Sequence, residues 1–388
     1  MTIQNNIPQG YKTTPLGIIP KEWKVKVLGD LCNSIKAGKN KEKENEGKYP
    51  VYGSTGLIGY TDIFAYDGSM ILIARVGANA GFTYCINEKC DVSDNTLILN
   101  VKSCYNFNFA YNQLLYYNLN KLVFGSGQPL VTAGQLKALK IVLPPVFEQK
   151  KIAEVLGVWD KVIEKQSQLI EQLTLHKRGL MQQLLTAKRR LPGFSEPWKK
   201  VRFCELFIKV IKTADPLKKY EVLSVTKEGI FSQKLYFNKD IASEDTSKYI
   251  VVERGDLAMS GLNFWMGSCH ILTNFDEGII SPAYKVFKVD KHNNIDFIKD
   301  FVQSSMFLQA LQGSSVIGAS VVRRNLDKEM LYEWTFKIPS ITEQTAIAQV
   351  LTAADREIEL AQQKLELLRQ QKRGLMQQLL TGKKRVKI

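Results

Sequence analysis

Two long stretches of the chain carry apolar residues at alternating steps of four and three positions. The steps begin at residue 152 in the first stretch and at residue 347 in the second. A heptad pattern sustained over this length predicts a long α-helix that buries a narrow seam against another helix. The apolar seam residues are Ile152, Leu156, Trp159, Ile163, Ile170, Leu173, Leu180 and Leu184 in the first stretch, and Ile347, Leu351, Ile358, Leu365, Leu368, Leu375 and Leu379 in the second.

The two stretches are copies of one sequence. The phrase KRGLMQQLLT occurs at Lys177–Thr186 and again at Lys372–Thr381, and the same offset of 195 aligns residues 143–163 with 338–358. No residue has been inserted or lost between the two blocks of either copy, as expected of rods whose length matters. The obvious partner for each predicted helix is therefore the other helix.

The two seams differ in ways that bear on pairing. Ala354 and Ala361 occupy in the second copy the positions of Trp159 and Gln166 in the first, so the seams are not interchangeable. A lysine interrupts each seam, at 177 and at 372, and we expect this pair to fix register or pairing at some cost in stability. Gly179 and Gly374, also 195 positions apart, each cost about 1 kcal/mol relative to alanine within a helix, which favours close packing or contact with a partner.

The sequence also marks the helix ends. The Pro144-Pro145 pair prevents the first helix from extending backward and predicts a start near Val146. Ser340–Glu343 has the capping-box pattern at the second start, and Gly382 suits a left-handed stop. A helix from Val146 to Thr186 would be roughly 60 Å long at 1.5 Å per residue.

The intervals between the helices read as two globular heads with short β-type runs. These runs are Ser69–Val76, Asn95–Val101, Asp256–Ser260 and Tyr284–Val289, with a helical stretch at Asn108–Asn120. Each interval opens with a similar phrase, PKEWKVKVLGDL at Pro20–Leu31 and SEPWKKVRFCEL at Ser195–Leu206, here at an offset of 175. We predict a first head at 1–142, a central helical region at 143–190, a second head at 191–337 and a C-terminal helical region at 338–388.

Charge and composition point to a polyanionic partner. The 388 residues hold 53 lysines and arginines against 38 acidic residues, a net charge of +15, and nucleic acid is the commonest partner of such a chain. The six cysteines form no CxxC pair, so we expect reduced thiols and no metal site. No export signal or membrane span is apparent, which predicts a cytoplasmic protein without membrane contact.

Motifs for catalysis are missing from the sequence. The three histidines, His176, His270 and His292, form no HExxH motif or triad, and no phosphate loop, dinucleotide fingerprint or adenine-methylation tetrapeptide occurs. We therefore predict no catalytic residues in this chain.

Three polar loops are candidates for DNA contact, each with a plain turn as the alternative reading. The loop Tyr52–Asp62 offers Tyr52, Ser54 and Thr55, the glycine-rich turn Ala74–Gly81 offers Arg75 and Asn79, and Ser260–Ser268 offers Ser260, Asn263 and Trp265. The mixed-charge run Lys39–Lys48 is expected to be a solvated loop.

The combined pattern resembles the specificity subunit of type I restriction-modification enzymes. Two variable segments, each opened by the W-K-x-V-type phrase and closed by a proline, EQxxIAxVL and a helix ending in KRGLMQQLLT, carry a likeness that covers nearly the whole chain. It implies an α+β fold with two globular mixed α/β target-recognition domains, separated by two long helices packed as a pseudo-two-fold antiparallel coiled coil.

The resemblance also implies a division of labour. Each head would read one half of a bipartite, asymmetric sequence in double-stranded DNA. Two methyltransferase subunits that bind S-adenosylmethionine, and ATP-dependent restriction subunits that use ATP and Mg²⁺, would dock on this chain, which itself carries no cofactor.

The likeness adds candidate residues at the ends of the heads. Gly125–Thr132 and Gly313–Val322 look like the family's closing phrases, which brings in Gln128, Arg323 and Arg324 as DNA contacts. The second phrase lacks the Gln128-Pro129 pair of the first, so the two phrases are not assumed to be equivalent.

Two other functions fit parts of the pattern. A purely structural protein whose paired rods assemble other subunits would bind DNA weakly and without sequence preference. A nuclease with a dispersed active site would cleave DNA by itself with a divalent metal ion.

Overall fold

The computed structural model describes residues 7–41, 44–125, 127–215, 218–237, 246–317 and 324–386. These residues form two units: unit 1 comprises the described residues up to 167 and from 363 onward, and unit 2 comprises the described residues between 168 and 362. Within the described ranges, no helix has the length and apolarity required to span a membrane.

Unit 1 contains the first head. Its strands are β1 (Tyr11–Thr14), β2 (Gly17–Pro20), β3 (Lys24–Val27), β4 (Cys32–Ala37), β5 (Tyr49–Gly53), β6 (Gly56–Thr61), β7 (Ser69–Ala74), β8 (Thr83–Asn87), β9 (Asp91–Val92), β10 (Thr96–Val101) and β11 (Lys140–Leu143). Its helices are α1 (Leu28–Leu31), α2 (Phe107–Tyr117), α3 (Ala133–Ala138) and the first part of α4 (Val146–Leu184). The main sheet has the order β4-β10-β7-β8, and β3 pairs with β11 beside it.

Unit 2 contains the second head. Its strands are β12 (Lys199–Arg202), β13 (Phe207–Val210), β14 (Leu223–Val225), β15 (Ile230–Ser232), β16 (Ile250–Glu253), β17 (Leu257–Met259), β18 (Cys269–Ile271), β19 (Glu277–Ile280), β20 (Lys285–Val289), β21 (Ser315–Ile317), β22 (Arg324–Leu326) and β23 (Thr335–Ile338). Its helices are α5 (Phe203–Leu206), α6 (Gln233–Phe237), α7 (Ile295–Phe301), α8 (Ser305–Gly313), α9 (Lys328–Glu333) and the first part of α10 (Ile341–Leu379).

The two heads share one framework. The main sheet of unit 2 has the order β13-β20-β17-β18, and each of its strands takes the place of β4, β10, β7 or β8 in unit 1. The pair β12–β23 likewise repeats the pair β3–β11. In each head, the repeated tryptophan phrase thus contains a strand that pairs antiparallel with the strand preceding the long helix. The β-type runs predicted in both heads are confirmed as β7, β10, β17 and β20.

Both predicted long helices are confirmed. Each has 39 residues, and α4 and α10 end at Leu184 and Leu379, two residues before the threonines that close the repeated phrase. Gly382 follows with φ +73°, the predicted left-handed stop, and Ala187 adopts φ 58° at the same place after α4 without the freedom of a glycine.

The helix ends lie in the cores of the heads. In unit 1, Ile152 and Leu156 share a core with Leu379 and with residues of the first head. In unit 2, Leu184 shares a core with Ile347 and with residues of the second head. Because the start of one helix packs beside the end of the other, the helices run antiparallel in both units.

Burial along the seam is greatest at its ends. The fully buried seam residues are Ile152, Leu156, Leu184, Ile347, Leu351 and Leu379. The half-buried ones are Trp159, Ile163, Ile170, Leu173, Leu180, Ile358, Leu365, Leu368 and Leu375. Two seam residues that differ between the copies, Gln166 and Ala361, are each only 7% exposed.

A buried carboxylate fastens the first head to the start of α4. Glu148 is 0% exposed. It accepts hydrogen bonds from the indole Nε1 of Trp23 at 3.0 Å and from Nε and Nη2 of Arg385 at 2.6 and 3.0 Å. Because an unpaired ionised group is costly in an apolar interior, the residues after α10 are needed to complete this core.

Unit 2 repeats this arrangement. Glu343 is 2% exposed, and it accepts from Trp198 Nε1 at 3.1 Å and from Nε and Nη2 of Arg190 at 2.5 and 2.7 Å. The capping-box prediction at the start of α10 is therefore wrong in one half. The Ser340 hydroxyl does accept from the Glu343 amide at 3.4 Å, but the glutamate carboxylate binds the tryptophan and arginine instead of returning to Ser340.

The glutamine after each of these carboxylates ties a second element to the helix start. Gln149 is 1% exposed and accepts from the backbone N–H of Asn106, the N-cap residue of α2, at 3.0 Å. Gln344 is 2% exposed and accepts from the N–H of Asn294, the N-cap residue of α7, at 2.9 Å. The repeated EQ pair thus holds a strand and a helix of each head against its long helix.

Ion pairs join the two long helices within each unit. In unit 2, Lys177 Nζ lies 2.6 Å from Asp355 on α10 and 3.2 Å from Asp300 on α7. In unit 1, Lys372 pairs with Asp160 on α4. Burial lowers the pKa of Lys177, but the charges of Asp300 and Asp355 outweigh it, so the pKa is raised and the lysine is firmly charged. These reciprocal pairs support the predicted role of both lysines in fixing register.

Candidate nucleic-acid interface

The loops predicted to contact DNA in the first head meet at one end of its main sheet. The amide of Arg75, just after β7, donates to the carbonyl of Asn95 at 2.9 Å, and its carbonyl accepts from the amide of Val131 at 2.9 Å. The amide of Ser93 donates to the carbonyl of Tyr52 at 2.8 Å. Four segments that are distant in sequence therefore form one surface.

Three of the predicted side chains stabilise this surface from within. Tyr52 Oη donates to Glu88 at 2.7 Å, and Ser54 Oγ donates to the carbonyl of Asn95 at 3.1 Å. Arg75 Nη1 donates to the carbonyl of Asp94 at 3.4 Å. Burial, together with the bond to Glu88, raises the pKa of Tyr52, so the phenol stays protonated and acts as a donor.

The remaining predicted residues of this head face solvent. Thr55, Asn79 and Gln128 are exposed, and so are Lys39 and Lys41 at the start of the mixed-charge run. That run was predicted to be a solvated loop, but residue 40 bridges to residue 93. The surface thus combines free hydroxyl and amide groups with two nearby lysines, a set suited to base edges and phosphates.

In the second head, the loop after β17 occupies the place of the loop after β7. Ser260 is 6% exposed, and its Oγ accepts from the amides of Leu262 at 3.3 Å and Asn263 at 3.1 Å. Its hydroxyl therefore shapes the turn. Asn263 itself is exposed and precedes a 3₁₀ turn at Phe264–Met266.

Trp265 and Arg324 form a stacked pair beside this loop. The guanidinium carbon of Arg324 lies 4.3 Å from the indole centroid, and its Nη1 donates to Ser315 Oγ at 3.1 Å. Nε1 of Trp265 and Nε of Arg324 are buried and have no acceptor among the described residues. Arg323 and residues 318–322 of the phrase that ends at Val322 lie outside the described residues.

A cluster of lysines lies next to the same loop. Lys285 begins β20 opposite Met259, the last residue of β17. Burial lowers the pKa of Lys285, and the positive charges of Lys328 and Lys209 lower it further. Like charges gathered this closely favour binding of an anion such as a DNA phosphate.

Several residues of these sites had no recognised signal in the sequence. Arg190 and Arg385 are 195 positions apart, so the repeat offset could have found them. Asn40, Asn95 and Lys285 carry no motif, because only pairing of distant strands brings them beside the predicted loops.

The described histidines and cysteines form no cluster suited to catalysis or metal binding. In the described part of the chain, no group of three His, Cys, Asp or Glu residues could hold a metal ion. His270 Nε2 lies 3.0 Å from the carbonyl of Thr226, and burial lowers the pKa of this histidine. Burial also raises the pKa of Cys269 to about 12, which keeps this thiol protonated and unreactive.

Comparison with known proteins finds similarity to type I restriction-modification specificity proteins in each case. A family model described as a type I restriction modification DNA specificity domain matches residues 20–175. The chain is 25% identical to the putative type I restriction enzyme MjaX specificity subunit of Methanocaldococcus jannaschii, covering 98% of this chain and 97% of that protein. It is 26% identical to the MjaVIII specificity subunit of the same organism, covering 95% and 94%.

Solved structures share the fold. The crystal structure of a type I restriction-modification S subunit from M. genitalium aligns over 98% of both chains with a TM-score of 0.54 at 16% identity. A chain solved in work on complex assembly and conformational transition of the type I system aligns over 94% of this chain and 99% of its own length, with a TM-score of 0.56 at 15% identity.

Proposed function

Because the chain is similar over nearly its whole length to type I restriction enzyme specificity subunits, we propose that it is such a subunit and reads an asymmetric, two-part DNA sequence with one head on each part. The observation that carries the proposal is the repetition within the chain. Each unit has the same sheet order and the same buried glutamate that accepts hydrogen bonds from a tryptophan and an arginine. The loops at the end of the main sheet, by contrast, differ in sequence. Two domains with the same fold but different loops are suited to binding two different DNA sequences.

Contacts with DNA phosphates supply most of the affinity in this proposal. The net charge of +15, with lysines beside the candidate loops of both heads, favours a strong and salt-dependent grip on a polyanion. A few loop side chains then supply the choice of sequence. Binding measured between about 50 and 200 mM salt should weaken steeply.

The long helices set the distance between the two half-sites. Each helix has 39 residues, or about 58 Å at 1.5 Å per residue, which suits half-sites about one DNA turn, near 34 Å, apart. Adding or removing a few residues in either helix should change the length of the unread spacer while both half-sites stay the same. An unchanged spacer would contradict this role of the helices.

The repeated helix phrase also presents a surface for partner subunits. Arg178, Gln182 and Gln183 are exposed, and the second copy exposes identical residues 195 positions later. A Cβ at Gly179 or Gly374 would meet no described atom within 4 Å, so packing inside this chain does not explain these glycines. Identical exposed residues in both copies favour two copies of one partner, and we assign them to the two methyltransferase subunits.

The chemistry belongs to these partners. The methyltransferase subunits bind S-adenosylmethionine and modify adenine N6, and the ATP-dependent restriction subunits, with Mg²⁺, cut unmodified DNA in the cytoplasm. The chain purified alone should neither methylate nor cleave DNA, and activity from it would contradict the proposal.

The central experiment maps methylated adenines in a genome that carries this chain and its methyltransferase. Two short motifs at constant separation are expected. Exchanging residues 191–337 for those of another specificity subunit should then change one half-site only. Changes in both halves would rule out independent heads.

A further inference from the structure

The turn at residues 93–95, between β9 and β10, has a rigid backbone at the centre of the candidate interface of the first head. Groups from three other segments bond to it: the carbonyls of Asn40 and Tyr52, the amide of Arg75 and the hydroxyl of Ser54. The distances are 3.2, 2.8, 2.9 and 3.1 Å, respectively. The turn is therefore held by the loops that the sequence singled out for DNA contact.

Asn95 projects a free amide from this rigid turn. Its backbone N–H donates to Ser93 Oγ at 3.2 Å and its carbonyl accepts two hydrogen bonds, so the Cα position is fixed. The side chain is exposed and makes no hydrogen bond to any other described residue. Asn79, the exposed amide of the neighbouring loop, is held through its carbonyl, which accepts from Phe82 at 2.9 Å.

The charges around Asn95 favour a base edge over a phosphate. Asp94 precedes it, and Asp91, at the start of β9, accepts from the side chain of Asn40 at 2.7 Å. These two carboxylates lie in or beside the turn itself, whereas the lysines suited to phosphates, Lys39 and Lys41, lie on the neighbouring segment. An asparagine amide, by contrast, presents one donor and one acceptor that match N7 and N6 of adenine in the major groove.

We propose that Asn95 reads an adenine in the half-site of the first head, and that Tyr52, Ser54 and Arg75 are positioning residues that hold its backbone. The inference rests on the proposed function, and it names a specificity-determining residue within it. A base-reading side chain must be held by rigid supporting groups, and the hydrogen bonds to the 93–95 turn provide that support.

Binding of the full-length chain to its mapped target, with modified adenines, tests this assignment. Each adenine of the first half-site is replaced in turn by 7-deazaadenine, which lacks the N7 acceptor, or by purine, which lacks the 6-amino group. At one position, each replacement should weaken binding of the wild-type chain by roughly 10-fold or more. Asn95→Ala should bind the unmodified target with a similar loss and should no longer respond to either replacement at that position.

Asn79→Ala is the matched control, because it removes an exposed amide from the adjacent loop. It should keep the wild-type response to every modified adenine, and both variants should keep the wild-type unfolding midpoint. Asn95→Ala that still responds to the modified bases like the wild type would overturn the assignment. If the wild-type chain does not distinguish its mapped target from a scrambled duplex, the proposed function itself fails.

Discussion

The buried carboxylate of Glu148 depends on a positive charge supplied by a residue that is distant in sequence. Arg385, six residues beyond the end of α10, supplies the guanidinium that pairs with it. Arg385→Ala removes this guanidinium and leaves a carboxylate in a side chain that is 1% exposed, still bonded to the indole of Trp23.

The magnitude follows from what remains around the carboxylate. Breaking a buried ion pair costs about 3–5 kcal/mol. The arginine is 33% exposed and Trp23 remains as a donor, so we expect the lower end, about 3 kcal/mol, confined to unit 1. Glu22, the other partner of Arg385, is 66% exposed, and Glu22→Ala should cost only about 0–1 kcal/mol.

Native-state hydrogen exchange measures this effect unit by unit, because the amides of β3 and β11 report on unit 1 and those of β12 and β23 on unit 2. Arg385→Ala should lower protection in the first pair only, and Arg190→Ala should lower it in the second pair only. Glu148→Gln added to Arg385→Ala should recover part of the loss, since it removes the unpaired charge. A loss in Arg385→Ala no larger than that in Glu22→Ala would refute the reasoning.

Four other substitutions test the electrostatics and backbone of the two units. Lys177→Met should lower the free energy of unfolding by about 3 kcal/mol, because it leaves the side chain of Asp300, which is 4% exposed, without its lysine. Lys372→Met should lower it by about 1 kcal/mol or less, because the aspartate partner of Lys372 is 51% exposed. Urea unfolding measures both effects. Ala187→Gly should raise the thermal midpoint by relieving the left-handed φ of 58°, and a lowered midpoint would contradict strain there. Burial lowers the pKa of His270, so the unfolded state takes up a proton before the folded state does as the pH falls. The stability contributed by the neutral ring is therefore full above about pH 6.5 and declines below it. His270→Gln should flatten this decline when unfolding is measured from pH 7 to pH 5.

The frame of the protein could be read from the sequence because its signals are local and repeated. The heptad spacing located both long helices, and the repeated tryptophan phrases marked matching positions in the two heads. The offset of 195 paired Glu148 with Glu343 and Lys177 with Lys372 before any contact was known. A repeat of this kind reports equivalent positions, since the same packing has to be made twice.

The roles of those positions depended on tertiary contacts. The Ser340–Glu343 pattern is the same whether Glu343 bonds back to Ser340 or, as in the structure, to Trp198 and Arg190. A capping motif within four residues contains no information about a competing arginine from the segment that follows the other long helix.

The candidate DNA surface shows most clearly which features the sequence determines and which depend on tertiary structure. The amino-acid sequence by itself determined the helices, the strand runs, the net charge and the polar loops, because periodicity and composition act over short distances along the chain. Only the tertiary structure decided that Ser54 and Arg75 turn inward to hold the 93–95 turn while Asn95 is left free at the surface. Strand pairing joins residues far apart in sequence, and the hydrogen bonds made there determine which polar groups remain available to a ligand.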